Sequence, residues 1–571
     1  MKSFLKYLLV LLSGFLILFL FLFLMIGILS DSEPIIEDNS YLHMSIGGSI
    51  PEYVAPSSLE EFTGSSRLDL KKIRDNLEKA AVDDRINGVI LNLGFLQTGY
   101  AKVEELQKLI DTYRESGKKI YAYLEFAMTR EYLVAIACDS VFMPENSNLF
   151  ITGVGSELTF YKGFFDKVGI QADFVHVGQF KNAPDQYTRD KISPAQSLVL
   201  NDILDQFYSF IITNIAERRN LSEDKVRDLI NNQTGFTGKS ALANGLVDGT
   251  SFKNEIVQIL DYYNSPPAKI SGQTYSSIPV SSLGLRTKSR IAVIHISGTI
   301  SSGNDVDDPI LGKLAGANTI SQNIRSAAKS SYTKAIILRI DSPGGSAIAA
   351  NIIWKAVKEA SEKKAVVASI SDYGASGGYY IAMAADTILN SPMSLIGSIG
   401  IYAGKFSTEG LYKKVGLGYE RLHRGKNAGL FSTNSLWSNS ERKVMQSLIE
   451  DFYKDFVTKV ADSRGLTYDQ TDALSQGRVW SGIQGYQNGL IDSTGSFYDA
   501  IDLAKKMAQI DEEESVRLSY YPKEKDFFTE LYSMVSMNTS FNSILQQTET
   551  TLLTRFQNQP LALMPFLITW N

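Results

Sequence analysis

The chain repeats itself, and this constrains its fold more than any composition figure. "HMSIGGSI" (43 to 50) is answered by "VIHISGTI" (293 to 300), and "INGVILNL" (86 to 93) by "TKAIILRI" (333 to 340). "AIACDSVFM" (135 to 143) is answered by "AMAADTILN" (382 to 390), and "FTGKSALANGLVD" (236 to 248) by "WSGIQGYQNGLID" (480 to 492). Order and spacing hold over roughly 200 residues, so the chain is read as two copies of one unit. The copies run from 41 to 265 and from 288 to 510, joined by a Pro/Ser-rich linker at 266–287. At 571 residues two cores are expected in any case.

Inside each copy, short β-branched runs alternate with helical stretches such as "ELQKLIDTYRESG" and "NIIWKAVKEASEK". Buried parallel strands joined by helical crossovers read this way, so the fold class is α/β, with two tandem units. A tail at 511–571 has no evident counterpart in the first copy. Its end, "PLALMPFLITW", is too short and too proline-interrupted to cross a bilayer. The tail is read as a packing or oligomer surface.

The first thirty residues stand apart. Residues 7 to 29 are apolar, preceded by Lys2 and Lys6 and followed by Asp31, Glu33 and Glu37. That length suffices for roughly 30 Å of hydrocarbon. The charge bias keeps the N-terminus cytoplasmic and sends the rest outward, so residues 1–30 are expected to be a retained transmembrane signal-anchor. A cleaved signal peptide would have a shorter apolar core and a small-residue cleavage site, which "MIGILSDSEP" supplies poorly. A net charge of -6 gives no basic footprint for nucleic acid. The single cysteine, Cys138, permits no intrachain disulfide and no multi-cysteine metal site, and four histidines support a His-based site only thinly. No metal or cofactor is expected.

Duplication lets each chemically loaded position be compared with its twin. After one buried strand the second copy has "RIDSPGGSA", where the first has "NLGFLQTGY" without the glycine pair. Gly344 and Gly345 are either a plain tight turn or a loop whose N–H groups face a substrate carbonyl. After another strand the second copy has "GASGGYYIAMAAD", the first "AMTREYLVAIACD", so Thr129 falls where Ser376 stands and the flanking glycines are missing. Had those glycines served only to turn the chain, both copies should have kept them. Ser376 is thus a candidate nucleophile at a helix start, where an N-cap is the competing reading. The stretch is not G-x-S-x-G, so it is no nucleophile elbow. A serine nucleophile needs a base. His423 aligns with His176 in the copy that lacks the serine, and so reads as structural. Lysine can act if burial keeps it neutral, and "KNA" occurs in both copies, at Lys181 and Lys426.

Taken together, the N-terminal anchor, the tandem units, "DSPGG", "GASGGYYIA", "LIGSIGI" and "GQFKNAPDQY" resemble the signal peptide peptidase A family in its long, duplicated form (protease IV). These are membrane-anchored serine peptidases related in fold to the Clp protease subunit and the crotonases. The resemblance covers nearly the whole chain. It implies Ser376 as nucleophile, Lys181 as general base, and Ser398 hydrogen-bonded to that lysine. Gly344, Gly345 and Gly377 would form the oxyanion hole. Lys426 stands at the spacing used by single-unit members and is the alternative base. The resemblance further implies degradation of remnant signal peptides and other apolar peptides, and assembly as a homotetramer. It places the protein in the bacterial inner membrane, with the catalytic part on the outer face. Tyr373, Tyr379, Tyr380 and Tyr402 are candidates for an apolar groove, or for core. Two readings compete: a crotonase-like thioester enzyme and a catalytically inactive membrane scaffold.

Overall fold

A computed structural model describes residues 35–56, 68–259, 267–279, 289–308, 312–523 and 560–564, together with Tyr7, residues 13–15 and Ile17. The expected anchor therefore lies almost wholly outside the described residues. Among the described residues no helix is long and apolar enough to cross a membrane.

The duplication is visible strand by strand. In the first unit a parallel sheet runs in the order 268–271, 40–48, 86–96, 119–123, 140–143, 249–250. In the second the same order recurs as 516–521, 289–297, 333–342, 365–375, 387–390, 493–494. Parallel neighbours need crossovers, and the helices Leu70–Val82 and Tyr100–Arg114 serve the first unit as Ala317–Lys329 and Ala347–Ser361 serve the second. Helices on the faces bury the strands on both sides. This is why "INGVILNL" and "TKAIILRI" are nearly continuous apolar runs and do not alternate. Helix starts are fixed locally: Asp69 accepts from the Lys72 N–H, and Ser346 from that of Ala349.

Two boundaries differ from the sequence reading. The linker 266–287 contains a strand, Ala268–Ser271, paired with Ser40–Gly48. The tail 511–571 contains its counterpart, Val516–Tyr521, paired with Ser289–Ser297. Each copy thus closes the same sheet edge with a strand that comes after a late helix, Lys253–Ile259 in the first and Phe497–Met507 in the second. Such short edge strands carry too little pattern to stand out beside proline and serine.

The units are joined by a third sheet, in the order 306–308, 312–316, 299–301, 344–346, 561–563, 401–407, 171–177. Strand Gln171–Val177 of the first unit pairs antiparallel with Ile401–Ser407 of the second, from Val177 opposite Ile401 to Gln171 opposite Ser407. Buried charges also tie the units together. Arg339 binds Glu52 at 2.7 Å and Glu105 at 2.9 Å, and Lys102 binds Asp341 at 2.6 Å.

Candidate active site

Ser376 ends the central strand of the second unit, Ala365–Ala375, and precedes the helix Gly377–Ala382. It occupies the N-cap position, yet its side chain caps nothing. Its backbone sits at φ 53° and ψ -111°, a strained conformation for a residue with a Cβ. Its N–H donates to the Gly397 carbonyl at 2.7 Å, while its carbonyl accepts from the Tyr380 N–H at 2.8 Å. The strained corner turns Oγ away from the helix and toward the first unit.

What meets it there is Lys181, with Nζ 2.8 Å from Ser376 Oγ. Lys181 follows the strand that crosses between units, in a loop that only glycines allow. A Cβ on Gly477 (φ +78°) would lie 2.6 Å from the Lys181 nitrogen, and one on Gly178 (φ +108°) would lie 2.5 Å from Gln476. The Phe180 N–H donates to the Gln476 carbonyl at 2.7 Å, docking the loop on the second unit. Nζ also lies 2.9 Å from Ser398 Oγ and donates to the Ser398 carbonyl at 3.0 Å. Ser398 is itself held by its N–H to the Arg478 carbonyl at 2.7 Å.

Lys181 is fully buried, and burial pushes its ammonium well below the ordinary lysine range. Lys102 shows the opposite outcome. Burial lowers it too, but Asp341, Asp372 and Glu52 around it more than reverse the shift and keep it charged. Lys181 has hydroxyls and a carbonyl for neighbours, which suit a neutral amine.

Ser376, Lys181 and Ser398 thus come together as the sequence suggests, and Lys426 does not join them: it is exposed. His176 and His423 are exposed as well. Among the described residues, Lys181 is the titratable group hydrogen-bonded to Ser376. The glycine pair needs one correction. The Gly344 N–H donates to Ser342 Oγ at 3.2 Å, and Ser342 in turn donates to the Gly298 carbonyl at 2.6 Å. Gly344 contributes close approach instead: at φ +103°, a Cβ there would lie 2.8 Å from the Gly377 nitrogen. Gly345 lies in the strand Gly344–Ser346 and Gly377 opens the helix Gly377–Ala382 directly after Ser376. Of the tyrosines, Tyr379 and Tyr380 are core, with their hydroxyls donating to the Leu490 carbonyl (2.6 Å) and to Asp455 (2.9 Å). Tyr402 lies on the strand Ile401–Ser407, which begins just after Ser398.

In the first unit, Thr129 spends its hydroxyl on the Thr152 carbonyl at 3.1 Å and accepts from the Thr152 N–H at 3.0 Å. In that copy the residue aligned with Ser376 is thus tied to Thr152. Sequence reasoning missed Ser342, and also the acid pair Asp341 and Asp372 behind the two glycine loops. Asp372 accepts from the Gly99 N–H at 3.0 Å and the Lys102 N–H at 3.1 Å of the first unit. Two aspartates in otherwise apolar strands were the available signal.

Residues 112–263 and 358–511 match the profile of peptidase family S49, one stretch in each copy. The chain belongs to peptidase family S49. It is a serine-type peptidase. Residues 287–416 also match the ClpP-like SDH-type serine proteinase profile. Among relatives, the chloroplastic serine protease SPPA of Arabidopsis thaliana is 33% identical over 83% of this chain and 70% of its own length. Protease 4 of Salmonella typhi is 30% identical over 81% and 75%, and Protease 4 of Haemophilus influenzae 26% over 76% and 72%.

Proposed function

We propose that Ser376 and Lys181 form a catalytic dyad, one member from each unit, that hydrolyses apolar peptides. The 2.8 Å approach of a buried, charge-isolated amine to the Ser376 hydroxyl carries this reading. Neutral Lys181 takes the hydroxyl proton as Oγ attacks the peptide carbonyl. The Gly345 and Gly377 N–H groups stabilise the oxyanion, and the protonated lysine then gives its proton to the leaving amine. Water hydrolyses the acyl-enzyme. Ser398 holds Nζ in line with Oγ, and the Ser342 hydroxyl holds the glycine loop.

The kinship with signal peptide peptidases and the apolar N-terminal stretch support a finer reading. The protein is anchored in the bacterial inner membrane by residues 1–30, acts on remnant signal peptides at the outer face, and assembles as a tetramer. A crotonase-like reaction would have no use for a lysine on Ser376. An inactive scaffold would have no reason to retain a strained serine. Peptide turnover by Ser376→Ala, Lys181→Ala and Lys426→Ala tests the assignment. Loss in the first two with retention in the third is expected, and full activity in Ser376→Ala would overturn it.

A further inference from the structure

Three of the seven non-glycine residues with positive φ among the described residues meet at the candidate base: Ser376 (53°), Ser398 (49°) and Gln476 (52°). The first two carry the groups that touch Lys181 Nζ, whereas Gln476 has no part in the dyad. Its backbone nonetheless grips the base. The Gln476 carbonyl accepts from the Phe180 N–H, one residue before Lys181, at 2.7 Å. The next two residues grip the segment of Ser398. Gly477 donates its N–H to the Ile399 carbonyl at 2.8 Å, and the Arg478 carbonyl accepts from the Ser398 N–H at 2.7 Å. Arg478 also reaches the first unit, with its guanidinium 3.1 Å from Asp202 and 5.5 Å from the centre of the Phe180 ring. Residues 476–478 thus form a bracket that sets the lysine loop against its serine.

Glycine takes a φ of 52° freely, but a residue with a Cβ does so only when its surroundings hold it there. Here side chains do the holding. Gln476 Nε2 lies 2.9 Å from both carboxylate oxygens of Asp472 and 3.1 Å from the Tyr453 hydroxyl. The same hydroxyl accepts from the Gln476 N–H at 3.2 Å and donates to Asp472 at 2.5 Å. Tyr453 is buried, midway along the helix Asn439–Arg464, which gives the cluster a rigid support. The first copy offers the comparison. Its helix Pro194–Arg219 places Tyr208 where Tyr453 stands. Between the helix cap Ser222 and Phe236 that copy has one residue more than the second has between Thr467 and Trp480. The extra residue is taken up in a π-helical turn, Leu229–Gln233. There Tyr208 makes an exposed 3.5 Å contact with Asn231 in place of the cluster. The cluster is closed in the copy that receives the lysine loop.

We propose that Gln476 is a positioning residue for the general base, locked by Tyr453 and Asp472 so that Lys181 stays seated between Ser376 and Ser398. The inference rests on the dyad reading. Without the lock the lysine loop gains freedom and water reaches Nζ. Burial holds Lys181 neutral, so admitting water moves its ionisation back toward the ordinary lysine value. Less of the amine is then able to take the Ser376 proton at a given pH. The proton transfer is what suffers, so the loss falls on kcat and leaves KM in place.

The test is the pH dependence of Ser376 acylation by a fluorophosphonate in the full-length protein. Steady-state kcat and KM for an apolar reporter peptide and a melting curve are measured in parallel. Tyr453→Phe removes only the hydroxyl, and Gln476→Gly removes the side chain while suiting the backbone. Both should move the ionisation upward by about one unit and lower kcat about 10-fold at neutral pH, with KM unchanged. Tyr208→Phe, the same change in the first copy, should match wild type. A wild-type profile in either folded variant would overturn the proposal. A fall in kcat with an unmoved profile would mark a purely structural role and overturn it too, as would an equal shift in Tyr208→Phe. Wild-type acylation that ignores pH, or that survives in Lys181→Met, would overturn the dyad reading, and the inference with it.

Discussion

Lys102→Met is the substitution that most sharply tests how the two units cooperate. Lys102 leaves the first unit and enters the second, 2.6 Å from Asp341 and 3.6 Å from Asp372, with Glu52 at 3.7 Å. All these groups are buried or nearly so. Methionine nearly conserves the volume, so packing changes little and the charge is what disappears. Glu52 keeps Arg339, but Asp341 and Asp372 lose their cation. Removing one partner of a buried ion pair costs about 3–5 kcal/mol, because the other charge stays buried and uncompensated. The sign with pH follows. Burial already raises Asp372 to about 6, against the pull of Lys102. Without Lys102 it rises further and binds a proton in the folded state at pH values where the unfolded chain does not. The variant's deficit is therefore largest near pH 8 and shrinks as the pH falls through about 6 and Asp372 protonates. Urea unfolding of wild type and variant at pH 8 and pH 5.5 measures this, with peptide turnover alongside. Because Asp341 and Asp372 lie just before the Gly344 and Ser376 loops, turnover should fall with stability. A deficit under about 1 kcal/mol, the range of an exposed pair, or one independent of pH, would refute the reasoning.

Ser398→Ala removes one of the two Ser398 oxygens around Lys181 Nζ and leaves the carbonyl at 3.0 Å. One hydrogen bond of about 0.5–1.5 kcal/mol should cost about 2- to 12-fold in kcat, read by steady-state turnover, with Ser376 still reactive toward a fluorophosphonate. Gly477→Ala places a Cβ 2.6 Å from the Lys181 nitrogen at a backbone φ of +78°. Strain of about 1–2 kcal/mol is expected in a melting curve, with a kcat loss larger than that strain accounts for, because the base moves. Lys426→Ala alters an exposed side chain, so turnover should be unchanged and stability within about 0.5 kcal/mol of wild type.

The parts of the fold and site visible in the sequence are those that duplication prints twice. The apolar runs 86–93 and 333–340 repeat because both are doubly covered strands, and Ser376 stands out because its twin, Thr129, lost the surrounding glycines. The choice between Lys181 and Lys426 could not be read locally, since "KNA" occurs in both copies. It depends on strand Gln171–Val177 leaving its own unit to pair with Ile401–Ser407. No local periodicity encodes a pairing across that separation. The glycine loop shows the same limit. Its composition marks a place where backbone approaches backbone, but it does not show that the Gly344 N–H is taken by the Ser342 hydroxyl. The C-terminal strand 561–563 is legible only in its partners, because three apolar residues carry no pattern of their own.

The most direct test of a dyad built across the two copies is the pH dependence of Ser376 acylation by a fluorophosphonate, with the labelled residue located by mass spectrometry. In wild type the label should sit on Ser376. Its rate should rise with pH through a single ionisation well below the ordinary lysine value, since burial holds Lys181 neutral. In Lys181→Met the acylation should be lost while the protein stays folded. A Lys181→Met protein that acylates at the wild-type rate with the wild-type pH profile would contradict the dyad, as would a label on any residue other than Ser376.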